Sequence, residues 1–207
     1  MRILFFLLLP VFCWSEPYCF FTPPPKWEIA DPKIVSKRTL FAFIDSSKSG
    51  FCPSLNLTKE KVTVSPNEYL AIVEQNAKRK RQKWRHLGKF QTEAGPAELT
   101  EVEVKTQFGK ARLMQLILFH EGTAYVLTAG ALKKDFNRHA PAIEKAMSSL
   151  TVSTDLFSHI ANPALQASLR QAWQKKAAGL ESKSFEKGVL EECSSLGAPW
   201  QILMMRL

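Results

Sequence analysis

Long apolar runs are missing from this sequence of 207 residues. No stretch approaches the ~20 residues a helix needs to cross a bilayer, which excludes a polytopic membrane protein. Histidine and cysteine are scarce, at four each. Cys-x-x-Cys does not occur, so neither a thioredoxin-type site nor a paired zinc knuckle is encoded. His-Glu-x-x-His, the Gly-x-Ser-x-Gly elbow and the phosphate-binding Gly-x-x-x-x-Gly-Lys loop are also missing. Among His86, His120, His139 and His159, no two stand at ligand spacing on a predicted helix. His120-Glu121 falls in a predicted turn and could hold a metal, although solvation alone accounts for a turn histidine. Glu101 and Glu103 lie two apart on a predicted strand. Paired carboxylates can do acid–base work, but the alternation there places both on the solvated side. A metal-dependent hydrolase is therefore the weakest of three readings, and the sequence reads as no enzyme, with no cofactor. What remains is an ordinary globular composition, 45% hydrophobic and 23% charged, with chain enough for a real core.

The first fifteen residues read as an address. Arg2 precedes an apolar stretch from Ile3 to Phe12, and the small residues Cys13 and Ser15 follow. This is the pattern of a secretory signal peptide cleaved after Ser15. A membrane anchor is the alternative, but ten apolar residues are too short to span. Lipid attachment at Cys13 or Cys19 needs a small preceding residue, and the bulky Phe12 and Tyr18 stand there. The expected localisation is exported, periplasmic or secreted.

Export permits disulfides. Cys19, Cys52 and Cys193 would remain, an odd number, so one pair at most can form. If a bridge forms, the expected pair is Cys19–Cys52. Small buried thiols are the alternative. The formal charge of the whole chain is +9, and loss of Arg2 lowers it by one. Such a balance suits an acidic protein face or an anionic lipid surface, and export leaves nucleic acid the least suited partner. The excess is concentrated in Lys78, Arg79, Lys80, Arg81, Lys83 and Arg85. Asn56-Leu57-Thr58 fits the glycosylation sequon, which matters only in a eukaryotic secretory route.

Along the chain, Tyr18-Cys19-Phe20 predicts a short strand ahead of a proline-rich extended segment, and Lys26 to Ile29 another. Leu40 to Ile44 predicts a third, and Ser54 to Thr58 alternates as a half-buried strand should. Ser65-Pro66-Asn67-Glu68 is a capping box with proline in the first turn. Tyr69, Ile72, Val73, Ala77 and Trp84 then fall near one face of a helix running to about residue 85, so the basic run becomes its C-terminal end. There cations complement the helix dipole, and a solvated helix end competes with a dedicated binding site. Residues 86–131 predict an antiparallel meander, with breaks at Gly95-Pro96, Phe108-Gly109-Lys110 and His120-Glu121-Gly122 and a buried strand over Leu113 to Phe119. Helical spacing returns over Lys133 to Ser149, interrupted by Pro141, and Leu150 to Val152 can form a last strand. Asn162-Pro163 caps a further helix striped by Leu165, Leu169, Ala172, Trp173 and Leu180. Phe185, Val189, Leu190 and Cys193 suggest another short helix. The apolar close, Trp200 to Leu207, is expected to dock on the body or to bind a partner.

This order resembles the PsbP/DcrB/Ran-binding Mog superfamily of α/β/α sandwiches. The local likenesses are Pro25-Lys26-Trp27, Ser54 to Thr58 followed by the capped helix, Gly95-Pro96-Ala97, Gln115 to Thr128, and Phe136 with Ser149. They span about residues 18–153. The resemblance implies an α+β fold, an antiparallel sheet flanked by helices, with a mainly helical C-terminal extension. It also implies non-enzymatic work: assisting assembly of a membrane-associated complex, an exported envelope role, or chaperoning of apolar segments. No site residue carries over, because such members share a scaffold more than a site.

The expected organisation is a signal peptide over 1–15, an α/β domain over 16–153 and an extension over 154–207. The expected function is a non-catalytic binding or assembly-assisting protein of the cell envelope. The alternative is a peripheral membrane-surface binder using the basic helix end, with Trp84 suited to the interface.

Overall fold

The structure is a computed structural model that describes residues 17–31, 36, 38–46, 50–155, 157–158 and 160–181, with side chains of the last helix described to residue 174. The expected leader, the helix over 185–193 and the apolar close at 200–207 lie outside the described residues.

Among the described residues, nine strands and three helices follow one another. β1 (Tyr18–Phe20), β2 (Glu28–Ile29), β3 (Thr39–Ile44) and β4 (Ser54–Lys61) precede α1 (Pro66–Arg79). The meander β5 (Lys83–Thr92), β6 (Gly95–Thr106), β7 (Gly109–His120) and β8 (Thr123–Leu132) follows. Then come α2 (Phe136–Ser148), β9 (Thr151–Ser153) and α3 (Pro163–Glu181). Seven strands form one antiparallel sheet in the order β2-β3-β4-β8-β7-β6-β5, and β1 pairs with β9 in a separate two-stranded ribbon. Short turns explain the meander. Glu121 and Gly122 both take left-handed φ, 46° and 67°, the geometry that matches the twist of a two-residue hairpin. The β6–β7 turn closes where Thr106 faces Gly109, whose φ of 117° glycine alone adopts without strain.

Side-chain alternation sends two sets of residues to opposite faces of the sheet. One set, including Leu55, Leu57, Leu116, Leu118 and Leu127, packs with Phe136, Ile143 and Met147 of α2 and with Phe20 and Phe21 of the β1 segment. The other face carries a smaller cluster, in which Tyr69 and Leu70 of α1 meet Ile117, Ala124 and Val126. Helices thus cover both faces, and the α/β/α sandwich expected from the sequence is present. Pro141 lies inside α2 on its exposed side.

Several local expectations change. The helix predicted to reach residue 85 ends at Arg79. Its last turn closes as a Schellman motif: the Arg81 amide donates to the Lys78 carbonyl (2.9 Å) and the Gln82 amide to that of Ala77 (2.9 Å). Arg81 takes the left-handed position, φ 53°, that glycine usually fills. Trp84 is therefore a strand residue, and Ile72 is 47% exposed while Leu70 is buried in its place. Gly95 and Pro96 start β6 instead of breaking the chain. Pro96 faces Gln91 on β5 and lies outside the β6–β7 register, which begins at Glu98, so its missing N–H leaves the β7 ladder intact. Glu101, expected in solvent, is 4% exposed, because the face it shares with Glu103 is the one α2 covers. In α3 the Asn162 side chain caps the helix by accepting from the Ala164 and Leu165 amides. The predicted stripe is not a buried one: Leu165 is 36% exposed and Leu169 and Trp173 are half-buried.

Candidate functional site: a basic end of the sheet

The capping box is formed as the sequence indicates. The Ser65 hydroxyl accepts from the Glu68 amide, and a Glu68 carboxylate oxygen accepts from the Ser65 amide and hydroxyl, both at 2.8 Å. α1 then crosses the sheet to the opposite end, where its termination delivers the basic run. The structure splits that run. Lys78 is neutralised by Glu74 at 2.6 Å, one turn earlier on the helix. Arg79 ends α1. Lys80 caps the helix, Arg81 makes the left-handed turn and Lys83 opens β5. Arg85, also on β5, binds Glu101 at 2.7 Å, and Arg112 of β7 approaches the other Glu101 oxygen at 3.4 Å. The Arg112 guanidinium in turn lies over the Phe136 ring, 5.1 Å from its centroid. The buried Glu101 is thus held between two arginines, which is what a buried carboxylate needs.

Lys80, Arg81 and Lys83 come together with two lysines from elsewhere in the chain, Lys105 and Lys110 on the β6–β7 hairpin. They line a cleft of about 380 Å³ whose wall also holds Glu103. Glu103 is already engaged, because Lys133 donates to it at 2.5 Å. That hydrogen bond, aided by the charges of Lys133, Lys83 and Arg112, holds its carboxyl below the usual range. Lys80, Arg81, Lys105 and Lys110 enter no ion pair among the described residues. A second cleft, about 440 Å³, lies on the other side of the hairpin tip, between Phe108, Lys110, Leu132, Lys133 and Lys134. Lys105, Lys110, Lys133 and Lys134 were not legible as one site, because strand pairing alone brings them to the same end. The only local signal was the lysines flanking the Phe108-Gly109 turn.

Trp84 is partly enclosed. Its half-buried ring stacks on His86 at 6.3 Å, and its Nε1 is shut off from solvent. His86 contacts Glu98 at 2.8 Å.

The pairing expected between Cys19 and Cys52 is not made. Cys19 is buried in the β1–β9 ribbon, where burial pushes its thiol pKa up, and it faces Val152. Cys52 lies between β3 and β4 of the main sheet, with its sulfur 3.9 Å from the Gly50 carbonyl. Among the described residues, no three His, Cys, Asp or Glu side chains are grouped to hold a metal. No described helix is long and apolar enough to cross a membrane.

No family model and no curated protein matches the chain. Several solved structures are similar in fold. LpqN of Mycobacterium tuberculosis, involved in cell envelope biogenesis, is 14% identical, with a TM-score of 0.49 over 67% of this chain and 84% of its own. The cyanobacterial PsbP (CyanoP) of Synechocystis is 9% identical, with a TM-score of 0.46 over 66% and 92%. The Ran-binding protein Mog1p of Saccharomyces cerevisiae is 18% identical, with a TM-score of 0.40 over 60% and 80%.

Proposed function

We propose that this protein is an exported, non-catalytic binding or assembly-assisting component of the cell envelope, and that the basic end of its sheet is the surface that holds an acidic partner. In this reading residues 16–153 form the binding domain and residues 154–207 are an appended extension. One observation carries it. Lys80, Arg81 and Lys83 converge with Lys105 and Lys110 on one cleft, and the carboxylate in its wall, Glu103, is bound to Lys133. Like charges brought together without compensating acids repel, and an acidic partner relieves that repulsion. A backbone strain points to the same corner. Arg81 occupies a left-handed conformation at a cost of roughly 1–2 kcal/mol relative to glycine, and it presents a cation where glycine would present none.

A photo-crosslinking residue placed at Gln82, beside the cleft, and another at Glu121, at the far end of the sheet, test this in cells with the full chain. A crosslinked species, with protein or with lipid, is expected from position 82. It should disappear when Lys80, Arg81 and Lys83 are changed together to glutamate. Equal yields from both positions, or survival of the species in the triple variant, would remove the basic end as the contact surface. A second reading, peripheral attachment to a membrane surface, is favoured by one further observation: an exposed phenylalanine stands among the same lysines.

A further inference from the structure

We propose that the β6–β7 hairpin tip is a membrane attachment point, at which Phe108 enters the headgroup region of an anionic bilayer while the surrounding cations meet lipid phosphates. This rests on the basic sheet end being the contact surface, and it names that surface's partner.

Phe108 is 49% exposed at the tip of a hairpin. The tip is held firmly. The Thr106 hydroxyl donates to the Gly109 carbonyl at 2.8 Å and accepts from the Phe108 amide at 3.1 Å, and the β6–β7 ladder runs without interruption up to the Thr106–Gly109 pair. Behind the ring stands Phe51, edge-on at 6.4 Å, so the apolar surface continues inward from the tip. Cations lie on both flanks: Lys80, Arg81 and Lys105 bound the cleft on one side, Lys134 beside the Glu103-bound Lys133 that on the other, and Lys110 lines both.

An apolar point ringed by cations matches a surface that is anionic outside and apolar a few ångströms below. A soluble acidic protein would satisfy the lysines and Arg81 but would leave Phe108 in water unless it offered a pocket at the same place. The bilayer supplies both chemistries at once. The preformed hairpin also spares the ordering cost that a flexible loop would meet on binding.

Co-sedimentation of the full chain with phosphatidylglycerol–phosphatidylcholine vesicles, and with phosphatidylcholine vesicles alone, tests the proposal. Pelleting is expected with the first and not the second, with loss as salt rises. Phe108→Ser should weaken pelleting roughly tenfold, the scale of losing a half-buried phenyl contact. Ile72→Ser, at the exposed isoleucine on α1, removes comparable apolar surface away from the tip and should leave pelleting unchanged. Failure to pellet with anionic vesicles overturns the proposal. So does a Phe108→Ser variant that pellets like the parent, since the contact is then charge alone. Soluble polyglutamate that competes as well for the parent as for Phe108→Ser would make the occupant an acidic polypeptide. Gln82 crosslinks that persist through such failures would leave the contact-surface reading standing, and their loss would end it separately.

Discussion

At the end of the sheet where α1 begins, the turns and the helix start are tied down by hydrogen bonds. Ser65 and Glu68 cap each other, the Val62 amide donates to the Gly122 carbonyl at 2.8 Å, and the Glu93 and Ala94 amides of the β5–β6 turn donate to the Ser148 and Leu150 carbonyls. At the end where α1 stops, the chain turns through a left-handed arginine, Lys80, Arg81, Lys105 and Lys110 stand together with no ion pair among the described residues, and a phenylalanine projects into water. The strands are shared, and so is the core between them. In the proposed reading, stability and recognition fall to opposite ends of the same elements. The strained, self-repelling end persists because the remainder of the sheet over-determines its position.

A cut through the shared core should affect both ends alike. Leu116 is fully buried against the α2 face, and Leu116→Ala should lower stability by about 2–5 kcal/mol in urea unfolding. Fluorescence and far-ultraviolet circular dichroism should report one coincident transition. Separate transitions would mean that the two ends fold independently and that the contrast is one between units.

Ser65→Ala strikes the tied end alone and should cost about 1 kcal/mol. It should leave the Gln82 crosslinks intact at temperatures where the protein remains folded. Arg81→Gly acts at the other end with the opposite sign. Relief of the left-handed strain, less the extra unfolded-chain entropy of glycine, should raise stability by about 1 kcal/mol, while partner capture falls. A variant that is both more stable and binds fully would show that Arg81 serves neither role.

The smallest effects separate two carboxylates. Glu68 is held below the ordinary range by hydrogen bonds from the Ser65 amide and hydroxyl, Glu103 chiefly by its bond from Lys133 and the charges around it. Both are more acidic folded than unfolded. The stability each brings is therefore complete above the unfolded carboxylate value of about 4.3 and is lost as pH falls through the lower folded value. Salt should weaken only the part of the Glu103 shift that comes from the charges around it, and leave Glu68 nearly unmoved, because long-range charge is screened and a short hydrogen bond is not. Carboxyl NMR titrations at low and high ionic strength would show the difference; equal salt sensitivity would refute it.

Much of this architecture is written locally. The capping box, the turns at 108–109 and 121–122 and the alternation of the meander each lie within a few residues, and each predicts its element. Two kinds of feature are not written that way. The end of α1 carries no glycine or proline, and lysine and arginine are good helix formers, so the pattern ran on to residue 85 where the backbone turns at Arg81. The sheet faces were ambiguous as well. Alternation separated Glu101 from Val102 correctly but could not say that a helix covers the Glu101 side, since its arginine partners come from Arg85 and Arg112 on neighbouring strands. The candidate site shared that difficulty. Three of the five cleft cations, Lys80, Arg81 and Lys83, form a visible run, and Lys105 and Lys110 arrive through hairpin pairing.

The ribbon of β1 and β9 has a mechanical corollary. Tyr18 faces Ser153 at the point where the chain runs into β1 and out of β9, and only two further residue pairs lie beyond. A force pulling those flanks apart would break the bond from the Tyr125 hydroxyl to the Pro17 carbonyl and then peel that ladder one pair at a time, like a zip fastener. Gripped at residues 17 and 154, the described domain should open first at this clasp, at low force, with the basic end still folded.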